Sequence, residues 1–208
     1  MKKTALILPL AMSLLPLLSF DNSSLEGHAM PLLPAKTLDG RTIDENYYKG
    51  HVTIVSFMFI GCLPCMNEIS TLNKIKEAYA ASEKLQILCV ARQMREQMAQ
   101  FNSTDNTTYP GMIRKALNAD PIQYSIQPAC DDAASKMVIN GDAENKHVDV
   151  KSECSTIEEK YGVNSFPTLF YVDKNGIIRK IEAGGPPTKN DPDFYNRVKK
   201  EIDLLLAE

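Results

Sequence analysis

The stretch "VTIVSFMFIGCLPCMNEISTL", Val52 to Leu72, decides how this chain folds. Val52 to Ile60 is continuous, β-branched and aromatic, the composition of a central strand covered on both faces. After it, Ile69, Leu72, Ile75 and Tyr79 recur at spacings of three and four, the apolar stripe of a helix packed along one side. Between the two elements stand Cys62 and Cys65. With the strand ending near Ile60 and the helix starting near Leu63, Cys62 faces the free N–H groups and positive dipole end of that helix. Both favour thiolate over thiol, so its pKa is expected below the free value of about 8.5, and the thiolate is the species that attacks a disulfide. Pro64 lacks an N–H that the first turn does not use, and it stiffens the two-residue bridge. Cys65, turned inward, would attack the mixed disulfide formed at Cys62 and release the reduced partner.

Working outward, "KLQILCVA" reads as a second buried strand and "RQMREQMAQF" as a helix after it. Strand, helix, strand, helix in this order predicts an α/β fold with a parallel core sheet and helices on both faces. Downstream, "PTLFYVD", then Asn175-Gly176, then "IIRKIEA" predicts an antiparallel hairpin that finishes the sheet. The tail "DFYNRVKKEIDLLLAE" sets Phe194, Val198, Ile202 and Leu205 on one helical face, which should dock on the sheet. Upstream, "LPAKTLDGRTI" carries Asp39-Gly40 between short alternating segments, a hairpin signal. Residues 102–149, polar and rich in Asn, Thr, Asp and Pro, read as an insertion with one or two short helices.

The chain opens "MKKTALILPLAMSLLPLLSF", two lysines and a proline-broken apolar run, followed by "DNSS". That is the pattern of a secretory signal peptide over residues 1–24, which makes the periplasm or the exterior the expected location. An uncleaved anchor is the alternative and would be the chain's one membrane contact. The remainder, residues 30–207, suits a single domain with a substantial core. The net charge of -3 is spread without long runs of either sign, which excludes nucleic acid as the target. All five cysteines lie after the leader, and an odd count leaves at least one thiol unpaired.

For the Cys62–Cys65 pair, a structural staple and a metal site compete with a reactive dithiol. So short a loop contributes little entropic stabilisation. Zinc needs two more ligands, and neither a second CxxC nor an HxxxH pair is present. The expectation is a redox-active disulfide with no metal and no other cofactor.

The path "VTIVSFMFIGCLPCMNEISTL", "ILCVA" and "EKYGVNSFPTLFYVDKNGIIRK" resembles the thioredoxin superfamily, and more narrowly the exported TlpA/ResA-type thiol-disulfide oxidoreductases. The resemblance implies a thioredoxin-like fold, a central mixed sheet flanked by helices, with an N-terminal hairpin and a mid-domain insertion. It implies that Pro167 is a cis-proline facing the redox pair, with the backbone of Phe166 offered to an extended substrate segment near Leu63 and Pro64. It also implies that Glu68, three residues after Cys65, is the acidic residue that takes or gives a proton beside the thiols. Partners would be protein thiols and disulfides together with an upstream redox donor or acceptor, met by a monomer. Two positions depart from the family pattern: Gly61 stands where Trp is usual, and Phe166 is bulky for its place. Reductants, oxidants and isomerases all use CxxC, and the potential of the couple decides among them.

The remaining candidates have plainer readings. Cys89, inside "LQILCVA", is expected to pack as a small apolar side chain. Cys130 and Cys154 lie outside the regular core, and an exported chain suggests a second disulfide between them, with two free thiols as the alternative. His28, His51 and His147 are scattered surface residues, and Met94 and Met98 read as core-facing rather than copper-binding. A peroxiredoxin-like thiol peroxidase would need a Thr and Pro framework where Val55 and Phe59 stand. A Sco-like copper chaperone would space its cysteines CxxxC and add a distant His.

Overall fold

The computed structural model describes residues 25–32, 35–128 and 161–208, with the backbone of 137–140 and 147–150. The proposed leader, Cys130 and Cys154 lie outside the described residues.

A short antiparallel hairpin, β1 (Ala35–Lys36) and β2 (Thr42–Ile43), comes first, its turn at Asp39-Gly40. There follow β3 (Val52–Met58), α1 (Leu63–Ala78), β4 (Leu85–Ala91), α2 (Arg95–Asn102), α3 (Tyr109–Ala116) and β5 (Ser125–Pro128). The strands β6 (Met137–Asn140) and β7 (His147–Val150) pair with each other, and β8 (Thr168–Val172), β9 (Ile178–Ala183) and a last helix α4 (Pro192–Ala207) complete the chain. The central sheet runs β5-β4-β3-β8-β9. β5, β4 and β3 are parallel, whereas β8 and β9 join antiparallel, so the sheet is mixed. This is the α/β arrangement expected from the order of elements.

Every residue of β3 is buried: α1 and α4 cover one face, and Met30, Ile43, Tyr48 and Tyr161 pack on the other. Ile69, Leu72 and Ile75 of α1 and Phe194, Val198, Ile202 and Leu205 of α4 pack with Ile54 and Met58 on one face. On the opposite face Val55 and Phe57 meet Leu88, Val90, Tyr161, Phe170 and Val172. Asp191 caps α4, its side chain accepting the N–H groups of Asp193 at 2.9 Å and Phe194 at 3.0 Å.

Two features differ from the reading of the sequence. β3 stops at Met58, before Ile60, because Phe59 to Gly61 turn into the helix: the Cys62 N–H reaches the Phe59 carbonyl and Gly61 sits at φ +99°. A residue with a Cβ rarely holds that conformation. The second is β5, drawn from the segment read as an insertion; it lies parallel to β4 as the sheet edge, pairing Leu88 with Ser125 and Cys89 with Ile126.

Helix α1 is also buried on its polar side. Asn67, Ser70, Asn73 and Lys76, spaced by three, bond to two loops. Asn67 donates to the carbonyls of Pro186 (3.2 Å) and Pro187 (3.1 Å), and Ser70 to Asp120 (2.6 Å). Asn73 donates to the Pro121 carbonyl at 2.9 Å. These bonds hold the start of α1 against the end of β9 and the loop before β5.

Candidate active site

Cys62 is the N-cap of α1 and is joined to Cys65 by a disulfide, with Cα atoms 5.2 Å apart. The Cys65 N–H donates to Cys62 Sγ at 3.2 Å, so the cap bond of this helix ends on sulfur. Pro64 occupies the first turn, where its missing N–H leaves no bond unmade. Cys62 is 7% exposed and Cys65 1% exposed, so the first cysteine is the one nearer to solvent. Leu63 between them is 52% exposed.

Three segments frame the pair. The Phe166–Pro167 peptide bond is cis, and Pro167 is buried while Phe166 is half-buried. The rings of Phe166 and Phe59 meet edge-on with centroids 5.3 Å apart. Gly184 donates its N–H to the Pro167 carbonyl at 2.8 Å, and Gly185 follows directly beneath the turn. A Cβ on Gly185 would stand 2.6 Å from Pro167 Cγ and 2.9 Å from the Pro64 carbonyl oxygen. Gly185 therefore lets the loop after β9, the cis-proline and the CxxC turn touch. The pattern in the sequence had not singled it out.

Glu68 lies one turn into the helix from Cys65, on the same face by its i, i+3 spacing. It is 1% exposed, so it is not a solvated helix carboxylate. Ser56 of β3 donates to its Oε1 at 2.6 Å, while its Oε2 has no hydrogen-bond partner. Burial pushes its pKa up from 4.5 to about 8, against the lowering effect of the Ser56 bond, and the charge of Glu182 adds to the rise. The group is a neutral carboxylic acid at neutral pH. Cys89 is a buried free thiol on the same face, its pKa driven far up by burial and by Glu68. No group of three or more His, Cys, Asp or Glu among the described residues is placed to hold a metal ion.

Thus the fold brings Cys62, Leu63, Pro64, Cys65, Phe166 and Pro167 to one surface and sets Glu68 below it. Ser56, missed in the sequence, had one available signal: it and Thr53 are the hydroxyl-bearing residues in an otherwise apolar strand.

Comparison with known proteins agrees with this arrangement. The Redoxin family model matches residues 25–198. The thioredoxin-like protein YneN of Bacillus subtilis is 25% identical over 164 residues, covering 76% of this chain and 72% of the relative. Among solved structures, a Chlorobium tepidum protein assigned as thiol:disulfide interchange protein DsbE aligns with a TM-score of 0.55 at 18% identity, over 87% of this chain and 97% of that one. The thioredoxin domain of a thiol-disulfide oxidoreductase from Bacteroides vulgatus aligns with a TM-score of 0.52 at 21% identity, over 85% and 97%. The chain belongs to the Redoxin family and is an oxidoreductase of thioredoxin-like fold with a CxxC-spaced cysteine pair.

Proposed function

We propose that this chain is an exported enzyme that exchanges disulfides with protein partners through Cys62 and Cys65. The observation that supports this most directly is the bridged pair at the start of α1, with the more exposed sulfur at the N-cap. In the reducing direction, the Cys62 thiolate attacks one sulfur of a partner disulfide, forming a mixed disulfide and releasing one partner thiolate. The Cys65 thiolate then attacks Cys62 Sγ, which re-forms the Cys62–Cys65 bridge and releases the second partner thiolate. Two electrons pass to the partner, and the reverse sequence oxidises a dithiol. The cysteine pair is itself the redox centre, and an upstream donor or acceptor resets it.

The cap geometry supports Cys62 as the attacking thiol: the N–H that reaches its sulfur in the bridged form would stabilise a thiolate after reduction. Cys65, almost fully covered, is the resolving thiol. Glu68, protonated at neutral pH, gives its proton to the buried sulfur when the bridge is reduced, and the carboxylate so formed takes that proton back when the thiol must become a thiolate. Exposed Leu63 and Pro64, with Phe166 and Pro167, form the docking surface, where the Phe166 main chain bonds an extended partner segment. Export rests on the N-terminal leader pattern; no described helix is long and apolar enough to cross a membrane. A Cys130–Cys154 bridge, closing a loop of about 24 residues, belongs to the same proposal, its loss costing roughly 3 kcal/mol.

The test is reduction of insulin disulfides with dithiothreitol as the electron source. The enzyme is expected to accelerate it and Cys62→Ser to abolish the acceleration. Full activity in Cys62→Ser overturns the proposal.

A further inference from the structure

One rung of the sheet runs under Glu68. Ser56 on β3 pairs with Cys89 on β4 and with Leu169 on β8, and Leu169 pairs with Glu182 on β9. Cys89 and Leu169 both lie in the core cluster that α1 and α4 cover. Glu68 is bonded to Ser56, and Leu169, fully buried, fills the space on the side toward Glu182. Glu182 is itself tied into this face: Tyr171 donates its hydroxyl to Oε2 at 3.2 Å and Arg197 of α4 donates Nε to Oε1 at 2.6 Å. Lys180 stands 3.7 Å from the same carboxylate and 2.9 Å from Glu201 of α4. Only 15% of the Glu182 side chain is exposed.

We propose that Glu182 is a positioning residue for the redox site: on the far side of Leu169 and ion-paired with Arg197 and Lys180, its carboxylate sets the electrostatic surroundings of the buried Glu68 carboxyl. The inference rests on the reading of Glu68 as the proton-handling group. The groups facing Glu68 from each packed element are Ser56 of β3, Cys89 of β4, Tyr124 before β5, Tyr171 of β8 and Glu182 of β9. Cys89, Tyr124 and Tyr171 are all neutral at physiological pH, since burial raises each. Glu182 is the ion-paired carboxylate of this set, with Arg197, Lys180 and Glu201 around it. Two strand spacings separate Ser56 from Glu182, about 10 Å. Across an interior of effective dielectric near 20, one charge at that range moves a pKa by on the order of one unit. The sign follows: a neighbouring negative charge disfavours ionisation, so removing it should lower the pKa of Glu68.

The test uses the oxidised full chain, in which neither Cys62 nor Cys65 titrates, and follows carboxyl carbons by ¹³C NMR against pH. The Glu68 resonance is assigned by its loss in Glu68→Gln. Glu182→Gln should move the Glu68 midpoint down by on the order of one pH unit, while Glu182→Asp, which keeps the charge, should leave most of it in place. An unmoved midpoint in folded Glu182→Gln overturns the inference, and so does an equal shift in both variants, which would mark a packing effect. The pH profile of insulin reduction in Glu68→Gln separates the two claims. An unchanged profile there removes the proton-handling role of Glu68 even where the NMR shift is found; a changed profile with no NMR shift in Glu182→Gln removes only the role of Glu182.

Discussion

The two faces of β3 are buried to the same depth and built from different chemistry. On one, Phe57 stacks at tilted angles with Phe170 (4.8 Å) and Tyr161 (5.0 Å) among Val55, Leu88, Val90 and Val172. On the other, the preceding residue of the strand, Ser56, bonds a carboxyl whose second oxygen has no partner, beside a cluster that includes Cys62, Cys65 and Cys89. An apolar face gains free energy from every contact. A buried carboxyl costs free energy unless it stays neutral, and an unsatisfied oxygen adds to that cost. The first face therefore holds the fold, and the second keeps a proton next to the cysteines at some expense in stability.

The largest expected effect tests that expense. The fold favours the protonated form of Glu68, so its contribution to stability is fully present below about pH 4.5 and is lost as pH rises through about 8. At about 1.36 kcal/mol per pH unit the interval amounts to roughly 5 kcal/mol. Urea unfolding of the oxidised protein at about pH 5 and about pH 9 should show this loss, and Glu68→Gln should flatten it. An equally steep loss in the variant would place the titrating group elsewhere.

On the apolar face, Phe57→Ala should cost about 3–5 kcal/mol by opening a cavity beside the rings of Tyr161 and Phe170. The rate of insulin reduction per folded molecule should stay at the wild-type value, and a fall in that rate would erase the division between the faces. Gly185→Ala, where a methyl meets the Pro167 ring and the Pro64 carbonyl, should cost about 1–3 kcal/mol and slow insulin reduction as well. Stability loss with full activity would show that the contact between the proline loop and the CxxC turn serves packing alone. The smallest effect is expected from Asp191→Ala, about 1 kcal/mol of lost capping on α4 with no change in the pH profile of exchange.

The features legible in the sequence were those written in local pattern. The run from Val52, the stripe of α1, the Asn175-Gly176 turn and the four apolar residues of α4 each carry a period or a turn signal that survives in the structure. The cysteine pair at the helix start was visible for the same reason: position relative to two neighbouring elements determines it. β5 was not legible because "SIQP" is short and ends in proline, and only its pairing with β4 makes it a strand. The depth of Glu68 was hidden by the polar residues around it. Asn67, Ser70 and Asn73 look solvent-facing in a helical sequence, yet loops distant in the chain cover them and bury α1 from Cys65 to Asn73. Glu182 falls inside the strand read from "IIRKIEA" and Gly185 just beyond it, but their relation to the site exists only across the sheet and in the loop after it.

The most direct test of the division of labour between the two sulfurs is a trapping experiment. Reduced Cys65→Ser is mixed with a disulfide-containing protein such as insulin, quenched with acid, digested without reduction and mapped by mass spectrometry. A mixed disulfide at Cys62, stable because no resolving thiol is present, is the predicted result. An adduct on buried Cys89 instead, or the absence of any adduct at Cys62, would contradict the assignment of Cys62 as the attacking thiol.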